Sequence, residues 1–352
     1  MAFLKALAIG AAGGALCTWL GTPLPWLLGA LFACAGANLA GAGLWAPVAA
    51  RWAGQWVIGM ALGLYFTQAV LGRLLALWPF LLAGTIYALL LGMGFAWALS
   101  RFGGADAPTA FFGGAVGGAS EMASQGERFG GSVPLIAAGH SLRVLLVVTI
   151  LPFAYQWLQV HGSDAWVPVA SVVDYRGLVA LLVLSWVGGM VALRVGSPNA
   201  WVLGPLFVTA ALGIAGLSWT ALPRWLIDVG QVLIGISLGT RFAPGFFARG
   251  PRFLAAMAVA SLAGIAASAL FGWALALGAG IAPATMILAT SPGGIAEMSL
   301  TAKLLQLGVP VVAIMHVVRY IGMVLSIGAL YRLLARRFGW QAGDGRGQGE
   351  PG

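Results

Sequence analysis

Two short stretches hold most of the residues in this chain that could do chemistry, and they match each other. Residues 117–122 read Gly-Gly-Ala-Ser-Glu-Met, and residues 293–298 read Gly-Gly-Ile-Ala-Glu-Met. Pro134 and His140-x-x-Arg143 follow the first; Pro310 and His316-x-x-Arg319 follow the second, each pair at one offset of 176 residues. With only 9 acidic residues and 3 histidines in 352, the recurrence marks an internal duplication that kept its charges. His and Arg three apart share a helix face. An imidazole near its ordinary pKa can relay protons, and a guanidinium suits bidentate binding of a carboxylate.

The solvent around these residues decides what they mean. The chain is 61% hydrophobic and 8% charged, with mean hydropathy +0.96, whereas a soluble chain carries about a quarter charged residues. Charge-free runs extend from Lys5 to Arg51, Arg73 to Arg101 and Arg252 to Glu297. They are continuous rather than alternating, which predicts membrane-spanning helices and not a barrel. The net charge of +9 comes from scattered Lys and Arg and a C-terminal cluster at Arg332, Arg336 and Arg337, the pattern of cytoplasmic anchoring. Nucleic acid is therefore not an expected partner. Cys17 and Cys34 stand in apolar segments and build neither a disulfide nor a metal framework.

In lipid, Glu121 and Glu297 are costly unless paired or protonated. They read as proton or ion sites, or as structural partners of Arg143 and Arg319 in the next helix. Gly117, Gly118, Gly293 and Gly294 permit a break in a helix and close backbone approach, and the amides freed there can hold an anion. Tight helix packing is their other reading. For His140 and His316 the alternative to a relay is a satisfied structural histidine. Ser120, Gln55 and Gln231 add polar lining, with Ser291 and Ser299 beside them. Asp228 ranks lower because Trp52 takes its place in the first unit, and His161 falls in a linker.

These residues must be positioned by two units, 4–158 and 177–335, joined by a linker at 159–176 and followed by a polar tail at 336–352. Gly13-Gly14, Gly21, Pro23, Trp26, Gly29, Leu31 and Phe32 recur at offset 175 as Gly188-Gly189, Gly196, Pro198, Trp201, Gly204, Leu206 and Phe207. The N-terminal segment is thus expected to belong to the fold rather than to act as a removable signal peptide. Helices are expected at 4–21, 25–43, 52–72, 74–100 and 133–157, and again at 177–195, 199–217, 225–242, 253–279 and 309–334. The Gly-rich stretches 104–132 and 280–308 either span a sixth time or are broken and re-entrant. With five spans per unit, Lys5, Arg51, Arg101, Arg128, Arg194, Arg241, Arg249, Arg252, Arg332, Arg336, Arg337 and Arg346 fall inside. Only Arg73, Arg176, Arg224 and Lys303 then fall outside. Six spans even the split to nine against seven, so the positive-inside rule selects five. The expected fold is an all-α integral membrane protein of two inverted five-helix repeats, each with a broken or re-entrant Gly-rich segment.

The duplicated GGxxEM and HxxR pattern, with the G-x-P-x-x-W-L-x-G-x-L-F opening, resembles the AbrB-type membrane protein family of Gram-negative bacteria over about residues 4–335. That family carries the labels transcriptional regulator and ammonia monooxygenase. This sequence offers no soluble DNA-binding domain and no nitrogen-rich copper site to support either. By architectural analogy the chain also looks like cation/proton antiporters and anion transporters built from inverted units. The resulting expectation is a secondary transporter in the bacterial inner membrane. It would move a small organic anion or related metabolite, coupled to protons or sodium, without enzyme activity or cofactor. The alternative is a membrane-embedded sensor that regulates gene expression by binding a ligand without net transport. Further expected partners are the lipid bilayer and a second copy of the chain in a homodimer.

Overall fold

The computed structural model describes residues 1–162, 172–217 and 219–338. Among these, every regular element is helical. Six helices are long and apolar enough to cross a membrane: α1 (Ala2–Trp19), α5 (Trp78–Arg101), α8 (Val133–Trp157), α9 (Tyr175–Arg194), α12 (Pro251–Ala279) and α15 (Val309–Phe338). Between them lie α2 (Pro25–Leu39), α3 (Val48–Gly63), α4 (Gln68–Ala76), α6 (Ala107–Gly114), α7 (Ala119–Arg128), α10 (Ala200–Ile214), α11 (Arg224–Gly239), α13 (Pro283–Thr290) and α14 (Ile295–Leu304). The bounds of α3, α6 and α7 return at offset 176 in α11, α13 and α14, and those of α2 at offset 175 in α10.

The expected third helices are longer than those observed. Instead of 52–72 and 225–242, the helices stop at Gly63 and Gly239. After α3 the chain turns by 90° into α4, where the Thr67 hydroxyl caps the new helix by accepting from the Val70 amide. The apolar run hid this cap. With 15 or 16 residues, α2, α3, α10 and α11 measure about 22–24 Å, short of a hydrocarbon core of about 30 Å. They pack against each other, each with part of its surface exposed. α9 begins at Tyr175 and α15 runs to Phe338, and most of the expected linker and tail, residues 163–171 and 339–352, lies outside the described residues.

Glycines set how the central helices meet. A Cβ on Gly59 would collide with the Val202 carbonyl of α10, and one on Gly235 with the Leu27 carbonyl of α2. Each third helix therefore packs on the second helix of the other half. At the centre α3 crosses α11, where a Cβ on Gly54 would lie 2.7 Å from the Gly230 carbonyl. Small residues allow this approach where no water drives helices together.

Long-range hydrogen bonds sort the helix ends into two sets. At one end Asn38 donates to the Thr240 carbonyl (2.9 Å) and Arg252 to the Phe102 carbonyl (2.6 Å). At the other, Gln156 donates to the Gly21 carbonyl (2.9 Å) and Tyr155 to the Ala284 carbonyl (2.8 Å). The Gly162 amide donates to Leu305 (2.9 Å) there as well.

Candidate substrate and ion site

Each Gly-rich segment is a pair of half-helices with a break between them. α6 ends at Gly114, the backbone is extended at Ala115 (φ −54°, ψ 135°), and α7 starts behind Gly118. α13 ends at Thr290, Ser291 is extended (φ −59°, ψ 149°), and α14 starts behind Gly294. Pro292 cannot donate a backbone hydrogen bond, which reinforces the second break. Neither glycine pair adopts a left-handed conformation. Their missing side chains are what matters. A Cβ on Gly117 would crowd the Met122 side chain, and one on Gly293 would lie 2.6 Å from Met298 Cγ. A Cβ on Gly118 or Gly294 would strike the carboxylate of Glu121 or Glu297. The Gly-Gly-x-x-Glu-Met spacing thus lets the first helical turn fold its Glu and Met side chains back over its own start.

A break leaves backbone carbonyls without partners, and the arginines supply them. Arg143 donates to the Ala115 carbonyl at 2.8 Å and to the Gly117 carbonyl at 3.4 Å. Arg319 donates to the Ser291 and Gly293 carbonyls at 2.5 and 2.7 Å. Both side chains are buried, at the C-terminal ends of α6 and α13, where positive charge is favourable. The expected pairing of Glu121 with Arg143 and Glu297 with Arg319 is therefore corrected: each arginine serves its own broken backbone.

His140 joins this frame. Its Nε2 donates to the Phe112 carbonyl (2.9 Å), which leaves Nδ1 bare to accept from Arg143 (3.0 Å). A carbonyl can only accept, so His140 is the neutral Nε2-protonated tautomer. His316 is equally buried and lies beside the Leu288 carbonyl, with neither nitrogen in good hydrogen-bond geometry.

Both breaks, both arginines, both histidines and both glutamates line one cavity of about 100 Å³. It adjoins a vestibule of about 620 Å³ at the molecular end that holds Leu44, Ser197 and Thr240. Gln55 stands at their junction and donates to Asn199 at 2.9 Å; Ser120 lines the vestibule. Gln231 lies apart from the cavity, next to Asp228 on the same helix (3.4 Å).

The remaining charges are two arginines that the repeat does not reveal. Arg51 and Arg241 line both spaces. Arg241 acts electrostatically on Glu297 and Glu121, and Arg51 on Glu297. The Tyr320 hydroxyl faces Glu121 outside good hydrogen-bond geometry. The positions 176 residues away are Ile227 and Tyr65, so a search for duplicated charge passes Arg51 and Arg241 by. Asn199 carried one local signal, an N-cap residue with left-handed backbone (φ 56°).

Residues 26–335 match the family described as transition state regulatory protein AbrB. The chain belongs to the AbrB family. It is 31% identical to "Uncharacterized protein YhjN" of Bacillus subtilis (strain 168), covering 93% of this chain and 92% of that protein. It is 26% identical to "Putative regulator AbrB" of Escherichia coli (strain K12), covering 89% of this chain and 90% of that one. The matched region includes α3 through α14 and nearly all of α15, hence every residue of the cavity.

Proposed function

We propose that this protein is a multi-pass secondary transporter of the bacterial inner membrane. It moves a small organic anion coupled to protons or sodium. The observation that carries this reading is the meeting of two helix breaks around one charged cavity that joins a vestibule at one molecular end. Non-helical backbone at membrane depth persists where it lines such a cavity, and broken helices from inverted repeats build the sites of many transporters.

The inverted topology draws support from the two sets of helix ends. Five spans per unit, counting α2, α3, α10 and α11 as short crossings among the six long helices, put Asn38 with Thr240 and Phe102 with Arg252 on the inner side, and Gly21 with Gln156 on the outer side. Those are the observed hydrogen-bonded pairs. Six spans would separate the members of each pair by the full bilayer. The vestibule then opens inward, so this conformation is inward-facing.

The regulator reading is favoured by two names, that of the family, transition state regulatory protein AbrB, and that of the Escherichia coli relative. Purified protein in liposomes decides between the two. Uptake of a bound metabolite, driven by an imposed proton or sodium gradient, is expected of a carrier. Tight binding with no flux under either gradient would make the protein a sensor.

A further inference from the structure

The four cavity arginines are not equivalent. Arg143 and Arg319 are buried and committed to backbone carbonyls. Arg51 and Arg241 are partly exposed and stand where the vestibule meets the cavity. They are the guanidiniums that a solute arriving from the vestibule meets first.

Their present electrostatic partners are the protein's own carboxylates, Glu121 and Glu297. Those carboxylates fold back over Gly118 and Gly294 at the starts of α7 and α14. A helix start is a natural anion position, so each glutamate already occupies the place an anionic ligand would take. The lining as a whole is donor-rich. Four guanidiniums face two carboxylates, which leaves two positive charges in excess. The Nε atoms of Arg143 and Arg319 are buried donors without an acceptor.

We infer that Arg51 and Arg241 are the substrate-binding pair, that the substrate is a small dicarboxylate, and that it displaces Glu121 and Glu297, which leave the arginines as neutral acids. This rests on reading the cavity as a substrate site. Each displaced glutamate forms one O–H bond with a proton taken from vestibule water. A dianion therefore enters with two protons and no net charge.

Among the described residues, the charged and titratable groups that line the cavity with the two carboxylates come from four places. Arg51 comes from α3, Arg241 from just beyond α11, His140 and Arg143 from α8, and His316, Arg319 and Tyr320 from α15. The arginines and the tyrosine do not change charge near neutral pH. His140 is held neutral by its two partners. His316 is the remaining competitor for a pH response.

The test is binding of succinate and glutarate to the full-length protein in detergent, followed by calorimetry and thermal shift, with acetate and sulfate as controls. Millimolar succinate or glutarate raises Tm and acetate does not. Arg51→Gln and Arg241→Gln elute as folded monodisperse protein and bind at least about tenfold more weakly, the loss expected when a charged hydrogen bond to a ligand is removed. Wild-type affinity tightens as pH falls from about 8 to about 6.5, by about tenfold per pH unit for each proton taken up. Glu121→Gln/Glu297→Gln binds at about pH 8 as tightly as wild type does at low pH, with a flattened pH profile, while His316→Gln keeps the wild-type slope.

The site is overturned if no dicarboxylate binds, if the arginine variants bind unchanged, or if the double glutamine variant keeps the pH slope. A sulfate response equal to that of succinate overturns the carboxylate assignment. A slope lost in His316→Gln moves the coupling to the imidazole and overturns the displacement. Arg51-dependent binding without liposome flux removes the transport reading and leaves this site intact. Flux indifferent to Arg51→Gln and Arg241→Gln does the reverse.

Discussion

At the scale of single residues, the arginines act as carriers of broken backbone. Arg143 satisfies two carbonyls and a histidine nitrogen with one planar fork, a task the point charge of lysine cannot match. Removing it leaves those groups buried and unpaired, which costs about 1–3 kcal/mol for each group. Arg143→Gln is expected to lower Tm markedly, while Glu121→Gln, whose carboxylate lies at a partly exposed position, lowers it little. A double-mutant cycle between 121 and 143 should give coupling well below the about 3–5 kcal/mol of a directly paired buried bridge, because the two share a cavity but Arg143 is bonded to backbone carbonyls. A coupling of several kcal/mol would restore the direct ion pair that the sequence suggested. The sequence singled out both residues, because charge is rare in this chain. It could not assign their partners, because carbonyls appear in no motif.

At the scale of helices, the breaks and the crossings were legible to different degrees. Gly-Gly-x-x-Glu-Met identified the discontinuous segments, and the half-helices begin two residues before each glutamate. The lengths of α3 and α11 were not legible, because an apolar run looks the same whether it continues or turns at a cap such as Thr67. Arg51 and Arg241 escaped for a related reason: at a helix end an arginine reads as a topological anchor. The glycine crossings allow a sharp test. Gly59→Ala and Gly235→Ala each drive a Cβ into a backbone carbonyl. Overpacking of this kind costs about 1–3 kcal/mol, so both variants should melt earlier than wild type in detergent. Gly72→Ala, on an open surface with nothing within 4 Å, is the control and should melt no earlier than wild type.

At the scale of the whole molecule, orientation is the quantity to measure. In a variant whose Cys17 and Cys34 are replaced by Ser or Ala, cysteines at Ala42 and Ser197 should react with an impermeant thiol reagent from the cytoplasmic side. Cysteines at Gln159 and Gln306 should react from the opposite side. Positions 42 and 197 labelling from different sides would exclude inverted repeats, since one vestibule joins the loops that carry them. At this scale the sequence offered one signal, the unequal distribution of Lys and Arg, which needs no contacts to read and which this labelling tests. The exchange of third helices between halves lay beyond it, because glycines report close approach without naming the neighbour.

That exchange has a consequence for biogenesis. α3 reaches its full packing only against α10, about 150 residues later in the chain, and α2 only against α11. The first half therefore leaves the insertion machinery with its inner surfaces uncovered, and waits for the second before either is complete. Contacts so distant in sequence form late, and incompletely packed intermediates are the species that quality-control proteases clear. Residues 1–162 expressed alone should be degraded rapidly, and co-expression with residues 172–352 should restore both fragments to the membrane as one complex. The two halves share one core, divided between two stretches of chain.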